Sequence, residues 1–281
     1  MKHISILLIA IFHIYAVGAQ TTNLKKVLKE FRSSESKNIL VVAHRGAHTS
    51  ASENSMQGFK NAVNNGVDIV ELDVRHTKDS VLVLMHDKSV DRTTNGSGLV
   101  ESFTLNELKK LRLKHDGKVT NEAIPTLEEA LSYVKGKILV NIDIKTPLAW
   151  DVVKMVKKMD LGENVYFLNY LPQYAMELKK IDSTLMVLQR TNGEPMVDAV
   201  LKDIQPRAIH IDDSHNEAAL NAKIKKSGAR VFINSLGKTD KAVEMNDFSG
   251  INLLIEKGVN MIQTDHPELL LKYLREKGLH W

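Results

Sequence analysis

Short apolar runs alternate with amphipathic stretches along most of the chain. Ile39–Ala43, Ile69–Val74, Val81–Met85, Ile138–Ile144, Val165–Leu168, Leu185–Leu188, Ala208–Ile211, Arg230–Ile233 and Met261–Gln263 each read as a strand, nine candidates in all. Helical segments lie between most of them. Ser55–Asn64 places Met56, Phe59 and Val63 on one face and ends at Gly66; Pro172–Lys180, Asn216–Lys226 and Pro267–Lys277 follow the same logic. This alternation predicts a mostly parallel sheet wrapped by helices. Residues 88–123 interrupt it with turn formers (Asn95, Gly96, Gly98) and a capped helix, T-L-N-E-L, beginning near Thr104. Residues 20–37 are polar, with a short amphipathic helix around Leu24–Phe31. There is no internal repeat, no G-x-G-x-x-G nucleotide fingerprint and no G-x-S-x-G elbow.

Three of the apolar runs lead into titratable groups: VVAHRG, IVELDV and VLVLMHD, which place His44-Arg45, Glu71/Asp73 and His86-Asp87 at or near strand ends. Because a strand alternates faces, Glu71 and Asp73 point the same way. Carboxylates in so apolar a strand are costly unless they pair with a cation. A salt bridge to Lys or Arg meets that need. So does a hard divalent ion, calcium or magnesium. Two histidines nearby supply a base and an acid, and a guanidinium matches two phosphate oxygens. Together these groups describe metal-assisted cleavage of a phosphoester.

The segments HRG (44–46), SENS (52–55), ELDV (71–74), HD (86–87), DRTTNGSG (91–98), IPTLEEAL (124–131), NIDIK (141–145) and, more weakly, QTDHPELL (263–270) resemble, in order and spacing, the glycerophosphodiester phosphodiesterase family. The resemblance covers roughly residues 38 to 275. It implies an α/β TIM barrel, residues 38–281, with a small insertion subdomain after the third strand, residues 88–123, beside the active-site mouth. An eight-stranded barrel leaves one strand candidate outside, which the sequence does not identify. The implied reaction is metal-dependent hydrolysis of a small-molecule glycerophosphodiester to glycerol 3-phosphate and an alcohol.

Carried over residue by residue, the resemblance implies His44 and His86 as the acid–base pair, in undecided order. Arg45 and Lys145 become phosphate contacts, and Glu71, Asp73 and Asp143 the ligands of one calcium or magnesium ion. Asp143 departs from the family, which has glutamate in an N-I-E-I-K type strand, and is one methylene shorter. Glu53 has three readings: substrate-side partner orienting Arg45, member of the metal shell, or helix-start carboxylate. Asn54 and Ser55 read as helix-capping. His48, His76, His115 and His215 read as solvated or satisfied, and His210 as facing a barrel interior. Phe232 and Asn234 stand in VFIN, where the family has a W-T-V-N-like strand; Phe232 is the candidate to keep an aromatic wall. Two rival functions use the same residues: a phospholipase acting on intact lipid, whose apolar lip no Trp- or Phe-rich loop announces, and a catalytically silent sugar-phosphate- or glycan-binding barrel.

With 281 residues, 43% hydrophobic and 26% charged, the chain has the composition of a globular domain. The net charge of +4 is spread along the chain, without the aromatic-interleaved basic stripe of a nucleic-acid binder. Met1-Lys2-His3, the apolar run Ile4–Phe12 and the small residues Val17-Gly18-Ala19 predict a signal peptide over residues 1–19 and export to the periplasm or exterior, with an uncleaved anchor as the alternative. The mature chain has no predicted membrane span. With no cysteine, disulfides and thiolate zinc sites are excluded. Oligomeric state is left open.

Overall fold

In the computed structural model, residues 23–281 are described; the predicted signal peptide lies outside them. Eight of the predicted strands pair side by side in parallel: β1 (Leu40–Ala43), β2 (Ile69–His76), and, after three short strands, β6 (Leu139–Ile144), β7 (Val165–Asn169), β8 (Met186–Arg190), β9 (Ala208–His210), β10 (Arg230–Asn234) and β11 (Met261–Thr264). The ring order is β1-β11-β10-β9-β8-β7-β6-β2, and the β1–β2 pairing closes it. The result is the TIM barrel. The strand left outside is β3 (Leu82–Leu84), which runs antiparallel to β2 with Val74 opposite Leu84.

Period-2 alternation divides the apolar residues into two layers. Val41, Val70, Leu72, Val140, Ile142, Phe167, Val187, Val231 and Ile262 face outward. They pack against α2 (Met56–Asn64), α4 (Leu127–Val134), α5 (Ala149–Lys158), α6 (Pro172–Ile181), α7 (Glu194–Asp203), α8 (Ala218–Lys226), α9 (Lys238–Glu244), α10 (Ser249–Glu256) and α11 (Pro267–Glu276). Leu40, Val42, Ile69, Leu139, Tyr166, Leu188, Phe232 and Met261 face inward. Leu24, Val27 and Phe31 of the helix over residues 23–31 (α1) close the floor of the barrel, and Phe31 stacks on Tyr166 at 5.1 Å. The floor is pinned by polar contacts as well. Buried Arg230 donates to the carbonyls of Glu30, Asn38 and Asn260, and Asp68 meets His280 at 3.0 Å.

Residues 88–123 carry a 3₁₀ turn (Val100–Ser102), α3 (Leu105–Leu108) and a two-stranded ribbon, β4 (Lys114–His115) and β5 (Lys118–Val119). The predicted capping box is present: Thr104 accepts from the Glu107 amide and the Glu107 side chain reaches back to Thr104. Val90, Val100, Leu108 and Leu113 bury against Val83, Met85 and Ile124, which gives this segment a small core of its own. No helix among the described residues is long and apolar enough to cross a membrane.

Candidate active site

All eight barrel strands point the same way, so their C-terminal ends gather one set of side chains at one mouth. The first strand ends in a tight turn. Arg45 and Gly46 both take positive φ, 52° and 88°. A Cβ on Gly46 would meet the Gly58 backbone at 3.2 Å, so glycine lets the turn pack against α2. The turn aims the Arg45 backbone N–H at Glu71 Oε2, 2.7 Å away. The SENS segment that follows divides its work. Ser55 caps α2 by accepting from the Gly58 amide. Asn54 does not cap: with φ of 51° it turns inward, donates to Asp73 Oδ2 at 2.8 Å and accepts from the Asp73 amide at 3.1 Å.

Glu71 and Asp73 share the inward face of β2, and the β2–β6 register places Asp143 beside Asp73. The three carboxylates are buried, and one oxygen of each lies within 4.8 Å of the others. Lys145 Nζ sits 2.8 Å from Asp143 and 3.3 Å from Asp73; Arg45 Nε is 3.6 Å from Asp73. The Tyr170 hydroxyl donates to Asp143 Oδ2 at 2.8 Å. Two cations thus stand against three carboxylates. Burial, reinforced by the charges of Asp73 and Asp143, pushes the Glu71 carboxyl well above the ordinary range. Asp143 Oδ1 is buried without a hydrogen-bond donor. An oxygen-only, charge-rich cluster with an unused lone pair fits a hard divalent cation, and Asp143 reaches the cluster despite its shorter side chain.

Each histidine has a carboxylate behind it. His44 Nδ1 is 2.7 Å from Asp265 Oδ1, and His86 Nδ1 is 2.7 Å from Asp87 Oδ1. A carboxylate accepts only, so it selects the Nδ1–H form and leaves Nε2 as the nitrogen each ring offers to the site. Asp265 also accepts from His48 Nε2 at 3.1 Å, and its own amide donates to buried Asp240. Burial opposes ionisation of Asp265, but the two histidines outweigh it and hold the carboxyl below the usual range. His86 is placed from its other end by Arg75, which donates twice to the His86 carbonyl.

The second dyad is wired to Arg45. Arg92, from the 88–123 segment, donates to Asp87 at 2.7 Å and to both oxygens of Glu53, and Glu53 also accepts from Arg45 at 3.0 Å. Burial works against the Glu53 charge, yet Arg92 and Arg45 keep its carboxyl below the ordinary value. Glu53 therefore orients Arg45 and is not among the clustered carboxylates. Arg45 Nε is buried without a hydrogen-bond partner, 3.6 Å from Asp73 Oδ2, so the guanidinium lies between Glu53 and the carboxylate cluster.

The structure thus brings Arg45, Glu53, Glu71, Asp73, Asp143 and Lys145 into one contact network at the mouth, and Glu53–Arg92–Asp87 ties His86 to it; His44 adjoins the network through its chain neighbour Arg45, with Asp265 as its own partner. Sequence reading gave no role to Asn54 beyond capping, and none to Asp265, Asp87, Arg92, Arg75 or Tyr170. Asp87, Arg92 and Asp265 did lie inside quoted motifs; Tyr170 carried no signal. His48, read as solvated or satisfied, is satisfied by Asp265. His210 faces the interior, where it packs edge-on against Phe232 at 4.6 Å, and burial pushes its pKa down to about 3. Phe232 is fully buried in the inward layer, so it supports His210 and forms no open aromatic wall. Beside the site, a cavity of about 910 Å³ is lined mainly by polar groups, among them His48, Glu53, Arg92, Lys114, His115 and Asp265.

Residues 44–269 match the glycerophosphoryl diester phosphodiesterase family. The chain belongs to that family. It is 34% identical over 251 residues to the glycerophosphodiester phosphodiesterase of Caldanaerobacter subterraneus subsp. tengcongensis, covering 85% of this chain and 99% of the relative. It is 40% identical over 257 residues to that of Bacillus altitudinis, covering 84% and 98%. A crystal structure of a glycerophosphoryl diester phosphodiesterase from Parabacteroides distasonis superposes with a TM-score of 0.79 at 25% identity, over 90% of this chain and 92% of that one. An Oleispira antarctica phosphodiesterase in complex with its product sn-glycerol-3-phosphate shares the fold at 23% identity and a TM-score of 0.70, over 84% and 96%. As a member of the glycerophosphoryl diester phosphodiesterase family, the chain is a phosphoric diester hydrolase, which sets aside the catalytically silent barrel.

Proposed function

We propose that this enzyme hydrolyses glycerophosphodiesters to glycerol 3-phosphate and an alcohol in a divalent-cation-dependent reaction, with His44 and His86 as the acid–base pair. The observation that carries this reading is the cluster of three buried carboxylates beside two histidines, each backed by its own aspartate. A calcium or magnesium ion held by Glu71, Asp73 and Asp143 supplies Lewis-acid polarisation of the phosphate when bound. The chain's own groups do the rest. Arg45, locked in place by Glu53, and Lys145, anchored between Asp73 and Asp143, bind non-bridging phosphate oxygens and stabilise charge that grows during displacement. One histidine takes a proton at Nε2 from the attacking oxygen; the other delivers a proton from Nε2 to the departing alkoxide. Asp265 and Asp87 hold the rings in the required tautomer and stabilise each imidazolium as it forms.

Hydrolysis of a panel of glycerophosphodiesters, each with calcium, magnesium or chelator, tests the reading. Release of glycerol 3-phosphate that chelation abolishes and one of the two ions restores is the expected result. Full turnover after exhaustive chelation sinks the metal role. The reading also includes export, supported by the basic and apolar pattern of residues 1–19, and one barrel over 38–281 with its insertion at 88–123.

A further inference from the structure

A second set of ligand atoms converges beside the carboxylate cluster. His44 Nδ1, His48 Nε2 and Asp265 Oδ1 all lie within 4.8 Å of one another. Both nitrogens meet the same carboxylate oxygen, at 2.7 and 3.1 Å, from rings 6.4 Å apart and tilted by 63°. The HRGAH segment wraps His44 and His48 around the tight turn at Arg45 and Gly46, and Asp265 arrives from the other end of the chain, just after β11. The acid–base dyad needs only His44 and Asp265. His48 is the extra member.

The frame that holds the three is stiff. The His44 amide donates to the Thr264 carbonyl and the Ala47 amide to the Gly58 carbonyl, each at 3.1 Å. The Asp265 amide donates to Asp240 Oδ2 at 2.6 Å, and buried Asp240 also accepts from the Ser235 and Thr264 hydroxyls. Access is open on one side, because His48 and Asp265 line the polar cavity of about 910 Å³. The ligand atoms of a tetrahedral zinc, at bond lengths of 2.0–2.2 Å, stand roughly 3.3 Å apart, so the three groups need to spread by only about half an ångström to take an ion between them. The cavity then faces the fourth position.

Donor chemistry separates this set from its neighbour. Glu71, Asp73 and Asp143 offer oxygen alone, which suits magnesium or calcium. Two imidazoles and one carboxylate suit zinc and related first-row ions. Binding here also has a chemical consequence for His44. A neutral imidazole has one N–H and one lone pair. With the lone pair of Nδ1 on a metal, the ring's one proton sits on Nε2, the nitrogen turned to the site. That nitrogen no longer accepts a proton, and it gives one up far less readily than an imidazolium does.

We propose that His44, His48 and Asp265 form a second metal site, selective for zinc-like ions, whose occupation silences the enzyme by holding His44 on the metal. The silencing rests on His44 as one of the acid–base pair; the binding does not.

The test uses the full chain with the activating ion in excess, so that the carboxylate cluster is filled, and two probes. Cobalt(II) reports binding, since a nitrogen-bound ion of low coordination number absorbs visible light far more strongly than a six-coordinate, oxygen-bound one. Zinc(II) reports the effect on glycerophosphoethanolamine hydrolysis. The parent should bind one cobalt ion with that absorption, zinc should displace it, and zinc should inhibit in a way that more activating ion does not relieve. His48→Gln keeps an N–H for Asp265 but removes a ligand. Loss of a group behind a metal ligand already costs ~10–100-fold in affinity, so loss of the ligand should weaken cobalt binding and zinc inhibition by about 100-fold or more, each read against the variant's own uninhibited rate. Glu71→Gln should keep the cobalt absorption. Equal zinc inhibition of the parent and His48→Gln overturns the proposal. So does inhibition that the activating ion relieves, or an absorption lost in Glu71→Gln and kept in His48→Gln. Cobalt held through His48 with turnover untouched overturns the silencing. A chain that hydrolyses no diester with any ion removes the glycerophosphodiesterase reading instead, and the absorption of the parent against His48→Gln still decides the site.

Discussion

Asp265→Asn is the sharpest probe of how the site is built. The change is nearly isosteric, and the Asp265 backbone N–H stays fixed on Asp240 Oδ2 at 2.6 Å, so the loop has no reason to move. What changes is the atom 2.7 Å from His44 Nδ1. A carboxylate there accepts from Nδ1–H and stabilises an imidazolium. An amide has two ways to sit. With its oxygen toward the ring it keeps the tautomer but loses the charge; with its NH₂ toward the ring it forces the proton onto Nε2. His48, which also donates to Oδ1, favours the first arrangement. The variant should therefore lose most but not all of what one acid–base group contributes, typically ~10²–10⁴-fold, and about 10²–10³-fold in kcat/KM is expected. The assay is kcat/KM under saturating ion on an alkyl-alcohol diester and on a nitrophenyl diester, with ion affinity measured separately by calorimetry. Ion affinity should stay at the parental value, because Asp265 is not in the carboxylate cluster. If His44 is the acid, the nitrophenyl substrate recovers most of the loss; if it is the base, both substrates suffer alike. Activity within about threefold of the parent across the pH range would refute the dyad's role, as would a loss that tracks weakened ion binding.

His86→Ala should cost at least ~10²-fold on the alkyl diester, and on the nitrophenyl diester it should behave oppositely to the His44-side variants; equal behaviour of both on both substrates would contradict a division into acid and base. Glu71→Gln and Asp73→Asn should weaken ion affinity, measured calorimetrically, and excess ion should restore part of the activity. Asp143→Glu, which brings back the family's usual side chain, should be the mildest of the three and can shift preference between magnesium and calcium. His210→Gln should change how stability depends on pH. A neutral His210 pushed down to about 3 leaves the unfolded chain binding the extra proton below ~6.5, so the parent should lose about 2 kcal/mol on going from pH 7 to pH 5 from this group, and the variant should not. Parallel urea-unfolding midpoints for parent and variant over that range would show that the imidazole is not held neutral.

Much of the site is legible in the sequence because strand periodicity is local. Two-residue spacing puts Glu71 with Asp73 and Asp143 with Lys145, and strand ends put the histidines at the mouth. The position of β3 was legible too, in retrospect. Only the short turn at Thr77–Ser80 separates it from β2, and a parallel crossover needs a dozen residues or more. The positioning groups are different. His44 and Asp265 stand 221 positions apart and meet only because β1 and β11 are neighbours in the closed ring. Asn54 shows the reverse failure: its place before a helix suggested capping, but its left-handed backbone turns the amide toward Asp73. Nothing in the bare sequence around Tyr170 marks it as touching a carboxylate; that depends on the β6–β7 register.

The ring order gives these placements a common logic. β11, β1, β2 and β6 are contiguous, and they carry the carboxylate cluster, Arg45, Lys145, His44 and Asp265, with His86 supplied by the excursion after β3. The remaining strands, β7 to β10, carry Tyr170, Arg190, His210 and Phe232. The carboxylate cluster and its two cations lie on the first half; the second carries the Tyr170 and Phe232 rings, and there Arg190 and His215 both face Asp212. Of the departures from the family pattern, VFIN falls on the second half and Asp143 on the first. Asp143 keeps the charge of the usual glutamate and reaches the carboxylate cluster with its shorter side chain. VFIN changes what surrounds His210 on the wall across from the carboxylate cluster. On the proposed mechanism the reaction rests on one arc of adjacent strands, which leaves the opposite arc free to vary with the shape of the substrate.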